Sequence, residues 1–327
     1  MILAGDVGGT KTVLALFKQE GDKLLCLHKQ TYLCAEYQSL GQILTVFLEQ
    51  TMYPDISSAC LGIAGPIVNG DCYATNLKWN IACREIREIL ATDNVCLIND
   101  LEAAAWGLLS LPENAFVELN LDAEGVQGNV AVLAAGTGLG EAIMCWNGKT
   151  FYPIATEGGH TDFAPTNEQE SMLLDFLRTR YPGHVSYERL VSGEGLHNIY
   201  QYLKQSGSLT SPIVEAAFNA GDPPAVIGEA GTSGSDALCQ KALAIFCRIY
   251  GAEAGNLALK CLPYGGVYLA GGITPKILPM LQKDFFIQSF LNKGRYRNIL
   301  KKIPVRACLN PEAGLLGASE KALAMIH

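Results

Sequence analysis

The sequence lacks the features that identify membrane proteins and nucleic-acid-binding proteins. No apolar run approaches the roughly 20 residues that a bilayer-spanning helix needs. The first six residues carry no basic region, so no secretory signal peptide is expected. The 24 Lys and Arg residues are outnumbered by 32 Asp and Glu residues, and the resulting net charge of −8 disfavours nucleic acid and anionic membranes as partners. A nucleotide is not excluded, because local backbone N–H groups can bind phosphate whatever the overall charge.

The cysteines also lack the spacing of a metal site or a disulfide framework. There are 11 of them, an odd number, with no Cys-x-x-Cys pair and no cluster with histidine. A zinc site is therefore not expected. Several lie inside apolar runs, as small buried residues do, which is typical of a reducing compartment and predicts a cytoplasmic protein.

Length and composition predict a globular α/β protein with about two domains. The chain has 327 residues, of which 49% are hydrophobic. We expect a small α/β domain over 1–110, completed by a C-terminal helix over 312–327, and a large α/β domain over 111–311. The polar stretch 75–79 is expected to be a loop.

One short stretch combines a buried strand with a carboxylate. Residues 95–98 are continuously apolar, as in a parallel strand covered on both faces, and the Leu, Glu and Ala residues that follow favour a helix. Asp100 is therefore expected at the carboxyl end of a strand, where open α/β sheets bind ligands. The alternative is that Asn99 or Asp100 only caps the helix.

Two glycine-rich turns each connect one apolar strand to another. The first spans 5–12, and the second is centred on 136–138. Neither leads into a helix, so neither is a P-loop or a dinucleotide fingerprint. Glycines nevertheless allow backbone N–H groups to close on a phosphate, and Asp6 beside such a phosphate would suit Mg²⁺, directly or through water. The alternative for the first turn is a tight hairpin without a ligand.

The recurrence of these hairpins indicates an internal duplication. Each opens a run of strands, and the order βββαβα is expected in both halves. Two such halves facing each other would form a cleft with phosphate-binding groups on both sides.

Two further segments carry candidate binding groups. In the loop 156–163, Glu157 and His160 are close enough in sequence to present hydrogen-bonding groups to one small polar ligand, unless His160 is structural. Glu188 is expected to open a helical run, where an acid is favoured by the helix dipole alone. Gly271 and Gly272, between a strand and a helix predicted near residue 275, would suit a nucleotide base or sugar, or equally a close strand–helix contact.

With these motifs placed, the whole chain resembles the bacterial glucokinase family of hexokinase/actin/Hsp70-like sugar kinases. The matching stretches are GDVGGTKT (5–12), INDLEAAAWG (98–107), AAGTGLGEA (134–142), EGGHTDFAP (157–165), ERLVSGEGL (188–196), YLAGGI (268–273) and PEAGLLGA (311–318). The resemblance implies a two-domain actin-like ATPase (ribonuclease H-like) fold. It also implies sugar contacts from Asn99, Asp100, Glu157, His160 and Glu188. It places phosphate-binding loops at Gly5, Asp6, Gly8, Gly9 and Thr10, at Gly136, Thr137 and Gly138, and at Gly271 and Gly272.

The reaction implied by this resemblance is ATP-dependent phosphorylation of D-glucose at its 6-hydroxyl, the first step of glycolysis. Asp100 would act as general base, and Asp6 would help to hold Mg²⁺. Homodimers are common in similar proteins. The chain lacks the Cys-rich zinc motif of the repressor/ORF/kinase branch and an N-terminal DNA-binding helix pair, which favours a zinc-free kinase. A kinase for another hexose and a non-catalytic sugar sensor remain as alternatives.

Overall fold

A computed structural model describes residues 1–21, 23–74 and 79–326. Most of the loop predicted over 75–79 lies outside the described residues, as does position 327 of the predicted last helix. Trp79 is described, and it begins a strand rather than ending a loop. Among the described residues, no helix is both long enough and apolar enough to cross a membrane.

The chain divides into two compact units. Unit 1 comprises Met1–Glu113 together with Asn310–His327, and unit 2 comprises Asn114–Leu309.

The regular elements follow in chain order. Residues 1–113 form β1 (Ile2–Val7), β2 (Lys11–Glu20), β3 (Lys23–Leu33), α1 (Leu40–Gln50), β4 (Ser58–Ile63), β5 (Ile67–Val68), β6 (Asp71–Ala74), β7 (Trp79–Ala82), α2 (Cys83–Leu90), β8 (Val95–Asn99) and α3 (Asp100–Ser110). Unit 2 forms β9 (Phe116–Glu118), β10 (Val130–Ala135), β11 (Leu139–Trp146), β12 (Phe151–Ala155), α4 (Glu168–Arg180), α5 (Gly193–Gln205), α6 (Pro212–Ala220), α7 (Pro223–Ser233), α8 (Ala237–Cys261), β13 (Gly266–Ala270), α9 (Leu278–Leu281), α10 (Asp284–Leu291), α11 (Arg297–Leu300) and β14 (Val305–Cys308). The last helix, α12 (Ala313–Leu323), belongs to unit 1.

Unit 1 is built on a five-stranded sheet with the order β3-β2-β1-β4-β8. The central strand β1 is antiparallel to β2 and parallel to β4, which is in turn parallel to β8. Alternate residues of β1 enter two different cores: Leu3 packs with residues of α1 and α2, while Ala4 packs with residues of α3 and α12. The sheet is therefore covered on both faces, and Asp6 shares the side of Ala4.

Two glycines allow α3 and α12 to pack backbone against backbone. A Cβ atom at Gly107 would lie 1.8 Å from the carbonyl oxygen of Ala313, and one at Gly317 would lie 1.7 Å from that of Ala103. Neither position has room for a side chain. These contacts hold the C-terminal helix against the N-terminal part of unit 1.

Unit 2 repeats this strand order in a sheet of six. Its order is β12-β11-β10-β13-β14-β9. The first five strands match unit 1 one for one, with an antiparallel trio followed by two parallel strands. Strand β9 is added antiparallel to β14. The predicted duplication is confirmed.

Several local predictions were wrong. The first glycine turn is shorter than predicted, because Gly5 and Asp6 are paired within β1 and only Gly8–Thr10 form the turn. Glu188 does not open a helix: it lies in a single 3₁₀ turn, and α5 starts only after the cap at Ser192, whose side chain accepts from the N–H of Gly195. The helix predicted near 275 starts at Leu278, after turns.

Candidate functional site

In unit 1, three parallel strands end at one edge of the sheet. The register pairs Val7 with Ile63 and Ile63 with Asn99, so β1, β4 and β8 finish level with one another. The glycine turn follows β1, and Asp100 follows β8. Because neighbouring strands lie about 4.8 Å apart, the turn and Asp100 are separated by about two strand spacings at this edge.

Asn99 and Asp100 are fixed by capping bonds. The N–H of Leu101 donates to Oδ1 of Asn99 at 2.8 Å and to Oδ1 of Asp100 at 2.9 Å. Asn99 also donates through Nδ2 to the carbonyl oxygen of Gly65, 3.3 Å away. The capping role proposed as an alternative is therefore real. It orients both side chains at the strand edge, and both remain partly exposed there.

The turn after β1 is held from outside by Cys34. The N–H of Gly8 donates to the carbonyl oxygen of Lys11 at 3.0 Å, and the N–H of Cys34 donates to that of Thr10 at 2.9 Å. The Cys34 thiol lies 3.5 Å from the carbonyl oxygen of Gly8. Gly9 and Thr10 remain exposed at the tip. The turn is therefore a fixed backbone surface, as phosphate binding requires.

Asp6 presents a partly buried carboxylate just before this turn. It lies beside the first turn of α12, where a Cβ atom at Gly314 would be 3.6 Å from Asp6 Oδ2. Burial raises the pKa of Asp6. No group of three or more His, Cys, Asp or Glu side chains suited to a metal occurs within 1–21, 23–74 and 79–326. Asp6 alone would therefore supply the protein oxygen for a cation that phosphate and water otherwise surround.

In unit 2, the two remaining glycine segments meet at the matching sheet edge. Strands β10 and β13 are parallel, with Ala134 paired to Ala270, so Gly136 and Gly271 follow level strand ends. Gly271 has φ +83°, and a Cβ atom there would lie 2.3 Å from the carbonyl oxygen of Ala135. Gly272 faces open space. Gly271 thus makes the close contact, and Gly272 leaves a free surface beside it.

A cavity of about 990 Å³ opens beside these turns. Its volume is at the upper end of the range for small-molecule sites. It is lined by residues of both glycine turns, the start of α5, the whole length of α7 with the residue before it, and the segment before α9: Gly136, Thr137, Gly193, Glu194, Leu196, Asp222, Pro224, Ala225, Gly228, Glu229, Thr232, Ser233, Gly272, Ile273, Lys276 and Ile277. Sequence reasoning found Gly136, Thr137 and Gly272. It missed the others, since residues far apart in the chain form one wall only after folding.

Glu188 connects the second glycine turn to the predicted sugar loop. Its Oε2 accepts a hydrogen bond from the N–H of Leu139 at 3.1 Å, and its Oε1 lies 3.9 Å from Nδ1 of His160. A Cβ atom at Gly138 would lie 2.4 Å from the same Oε2, so glycine is needed for this approach. The predicted phosphate turn and the predicted sugar contacts are therefore neighbours within unit 2.

The sugar loop presents its polar groups outward. Glu157 and His160 are exposed: Glu157 precedes the 3₁₀ turn Gly158–His160, and His160 ends it. A Cβ atom at Gly159 would lie 2.0 Å from the carbonyl oxygen of Leu139, so the turn packs tightly on β11. The structure thus places Glu157, His160 and Glu188 on one surface of unit 2, and Asn99 and Asp100 on the strand edge of unit 1.

Known proteins with similar sequences extend over nearly the whole chain. Residues 3–325 match the family model described as Glucokinase. The chain belongs to the glucokinase family. Glucokinase from Nostoc sp. (strain PCC 7120) is 40% identical, with 98% of each chain covered. Glucokinase from Tolumonas auensis is 37% identical over 97% of this chain and 95% of its own.

Solved structures of the glucokinase family share the fold. A glucokinase from an Antarctic psychrotroph superposes with a TM-score of 0.84 at 27% identity, covering 99% of this chain and 98% of its own. A ROK family glucokinase from Streptomyces griseus, solved with glucose and AMPPNP, has a TM-score of 0.69 at 22% identity and covers 99% of both chains. The predicted two-domain actin-like ATPase fold is confirmed.

Proposed function

We propose that this protein is a glucokinase, which transfers the terminal phosphoryl group of ATP to the 6-hydroxyl of D-glucose. The observation that carries the proposal is the contact of Glu188 with both the glycine turn at Leu139 and His160. Phosphoryl transfer to a sugar requires that a phosphate-binding turn and a sugar-binding loop lie side by side. Glu188 connects the two segments predicted for these roles. Relatives named glucokinase at up to 40% identity support the same reaction.

ATP would bind in the cavity of unit 2, with its phosphates toward the glycine turns. The cavity walls near Pro224 and Ile273 are apolar, as suits a base, while Gly136, Thr137 and Gly272 lie at the phosphate end. In unit 1, Gly8, Gly9 and Thr10 of the glycine turn would contribute further to phosphate binding, and Gly5 would assist from strand β1. Among these, Gly5 would act only by shaping strand β1, since it is buried and paired on both sides.

The donor set at Asp6 fits Mg²⁺. Its carboxylate is partly buried beside the start of α12 and offers oxygen to a cation or to water on a cation. When bound, Mg²⁺ would neutralise phosphate charge.

Asp100 would accept the proton of the attacking hydroxyl. Its carboxylate is oriented by the Leu101 N–H and is partly exposed at the end of β8, as a base that must meet substrate requires. Phosphoryl transfer needs positioning more than covalent help, so a single oriented carboxylate is sufficient at this step.

The remaining polar groups would hold the sugar ring. Asn99, Glu157, His160 and Glu188 would hydrogen-bond the other hydroxyls. Ionised carboxylates make the stronger, charge-assisted hydrogen bonds. A sugar kinase of this kind would act early in glycolysis in the cytoplasm, alone or as a homodimer.

A coupled assay of ADP release tests the function directly. With ATP and Mg²⁺, we expect turnover with glucose and much slower turnover with mannose, fructose and N-acetylmannosamine. Faster turnover with another of these sugars would establish a kinase for a different hexose. Glucose binding by calorimetry without ADP formation would establish a sugar sensor and contradict the proposal.

A further inference from the structure

Two glutamates are completely buried beneath the sugar loop. Glu141 on β11 is 1% exposed, and Glu253 on α8 is 0% exposed. A buried charge is costly unless it is paired or hydrogen-bonded. Neither residue belongs to the proposed contacts with substrate, so their burial needs another explanation.

The surroundings of the pair supply too few donors for two negative charges. Neither carboxyl oxygen of Glu141 has a hydrogen-bond donor within the described part of the chain. Glu253 accepts from Nδ2 of Asn256 at 2.8 Å, and Nζ of Lys260 lies 3.8 Å from its other oxygen. Glu253 is the charged neighbour that acts most strongly on Glu141, and one shared proton lets the two carboxyl groups hydrogen-bond each other. Burial and the neighbouring Glu253 raise the pKa of Glu141 to about 8.

Glu141 lies directly against the backbone of the sugar loop. A Cβ atom at Gly158 would be 2.0 Å from Oε2 of Glu141, so the carboxyl group fills the place of a side chain there. The hydroxyl of Thr156 donates to the carbonyl oxygen of Glu141 at 2.9 Å and accepts from the N–H of Gly158 at 3.2 Å. Glu157 is held between these contacts.

Glu253 is connected to the other segment that carries a sugar contact. Nδ2 of Asn256, which donates to Glu253, also lies 2.9 Å from the hydroxyl oxygen of Tyr187. Tyr187 precedes Glu188 and is buried. The pair is therefore linked to both segments that present the proposed hexose contacts, directly through Glu141 and through Asn256 from Glu253.

We propose that Glu141 is a positioning residue for the hexose-binding loop, and that it acts as a carboxyl group sharing one proton with Glu253. This inference rests on the proposed function. In the singly protonated pair, a hydrogen bond between the two carboxyl groups fixes the Glu141 side chain under Gly158. Loss of that proton would place two like charges together and displace the loop.

The pH dependence follows from the groups that face the pair. These are Lys260, Lys293, Tyr187, Tyr250 and Cys261. Burial raises the pKa of Tyr187, Tyr250 and Cys261, so these three stay neutral until pH values well above those at which the pair loses its proton. Burial lowers the pKa of Lys293, so Lys293 could also titrate as pH rises. A variant at Glu141 is therefore needed to assign a change in KM to the carboxyl pair. We expect KM for glucose to be constant below about pH 8 and to rise about tenfold per pH unit above it, with kcat and KM for ATP little changed.

The test compares Glu141→Gln with wild type and with Glu118→Gln. The glutamine introduced by Glu141→Gln has nearly the same shape and carries its own N–H donor for Glu253, so KM for glucose in this variant should stay low and flat between about pH 6 and 9. Glu118 is a partly buried glutamate bonded to Val305 and Arg306 on the opposite edge of the same sheet, and its variant should keep the wild-type pH profile. Glu141→Ala should raise KM for glucose at every pH. The same rise above pH 8 in Glu141→Gln as in wild type would overturn the proposal.

An infrared measurement provides a readout that does not depend on catalysis. Wild type should show the band of a buried protonated carboxyl group at neutral pH, and Glu141→Gln should lose it. A band unaffected by the substitution, or absent from wild type, would contradict the shared proton. If wild type failed to phosphorylate glucose while the band behaved as expected, the proposed function would fail and the carboxyl pair would stand.

Discussion

Replacing Gly138 by alanine should weaken hexose binding without unfolding unit 2. The new Cβ would lie 2.4 Å from Oε2 of Glu188, an impossible distance, so the carboxylate must move. Because the atom that moves is the end of a flexible side chain, the unfolding free energy should fall by no more than the roughly 1.5–3 kcal/mol of the hydrogen bond that is lost. The displaced carboxylate loses its bond to the N–H of Leu139, 3.1 Å away, and its position beside His160.

The size of the effect follows from the type of bond that is lost. A hydrogen bond to a charged group contributes roughly 1.5–3 kcal/mol. If that energy serves to hold Glu188 for the sugar, KM for glucose should rise roughly 10- to 150-fold. The assay is ADP release at saturating ATP across a glucose series, with thermal unfolding measured on the same samples.

Gly136→Ala is a matched control in the same turn. A Cβ atom at Gly136 meets nothing within 4 Å, so Glu188 would not move. Since Gly136 lines the cavity proposed for ATP, its variant should raise KM for ATP and leave KM for glucose unchanged. If Gly138→Ala binds glucose as wild type does, or if both variants change the same constant, Glu188 does not hold the glucose site as proposed.

The remaining predictions concern stability. Gly271→Ala should lower the unfolding free energy by roughly 1–3 kcal/mol or more, because φ at Gly271 is +83° and the new Cβ would lie 2.3 Å from the carbonyl oxygen of Ala135. Gly272 has open space around it, so Gly272→Ala should leave the unfolding free energy unchanged. Chemical denaturation of both variants measures the difference. Burial raises the pKa of Asp6 above its ordinary value of 3.8. Ionisation of Asp6 therefore destabilises the folded protein as pH rises above 3.8, and this destabilisation reaches its full size once pH is above the raised pKa. Asp6→Asn should therefore have a higher melting temperature than wild type at neutral pH, and the same melting temperature in acid. It should also need more Mg²⁺ for activity. Equal melting temperatures at neutral pH would show that the Asp6 charge does not destabilise the fold.

Much of the unit architecture could be predicted from local pattern. Strands β8 and β10 were predicted because each is an apolar run that ends at polar or glycine residues: Asn99 after β8 and Gly136 after β10. The duplicated sheet followed from two similar hairpins. Helix α4 was not predicted, although Asn167 was a visible cap signal: its side chain accepts from the N–H of Glu170 three residues on.

The parts that could not be predicted depend on contacts distant in sequence. Glu188 looked like the start of a helix because an acid is common there, but its carboxylate is used by Leu139, 49 residues earlier. The local sequence around Glu141 does not indicate that this side chain is buried beside Glu253, which lies more than 100 residues later on α8. The apolar wall at Pro224 was equally hidden, since it meets the glycine turns only in the folded unit.

Turnover by Asp100→Asn shows most directly whether Asp100 is the general base. The substitution keeps the shape of the side chain and an oxygen for the Leu101 N–H, but it removes the basic carboxylate. We predict that kcat falls roughly 10²- to 10⁴-fold or more, while glucose binding measured by calorimetry stays within about tenfold of wild type. Wild-type turnover in this variant would show that Asp100 is not the general base.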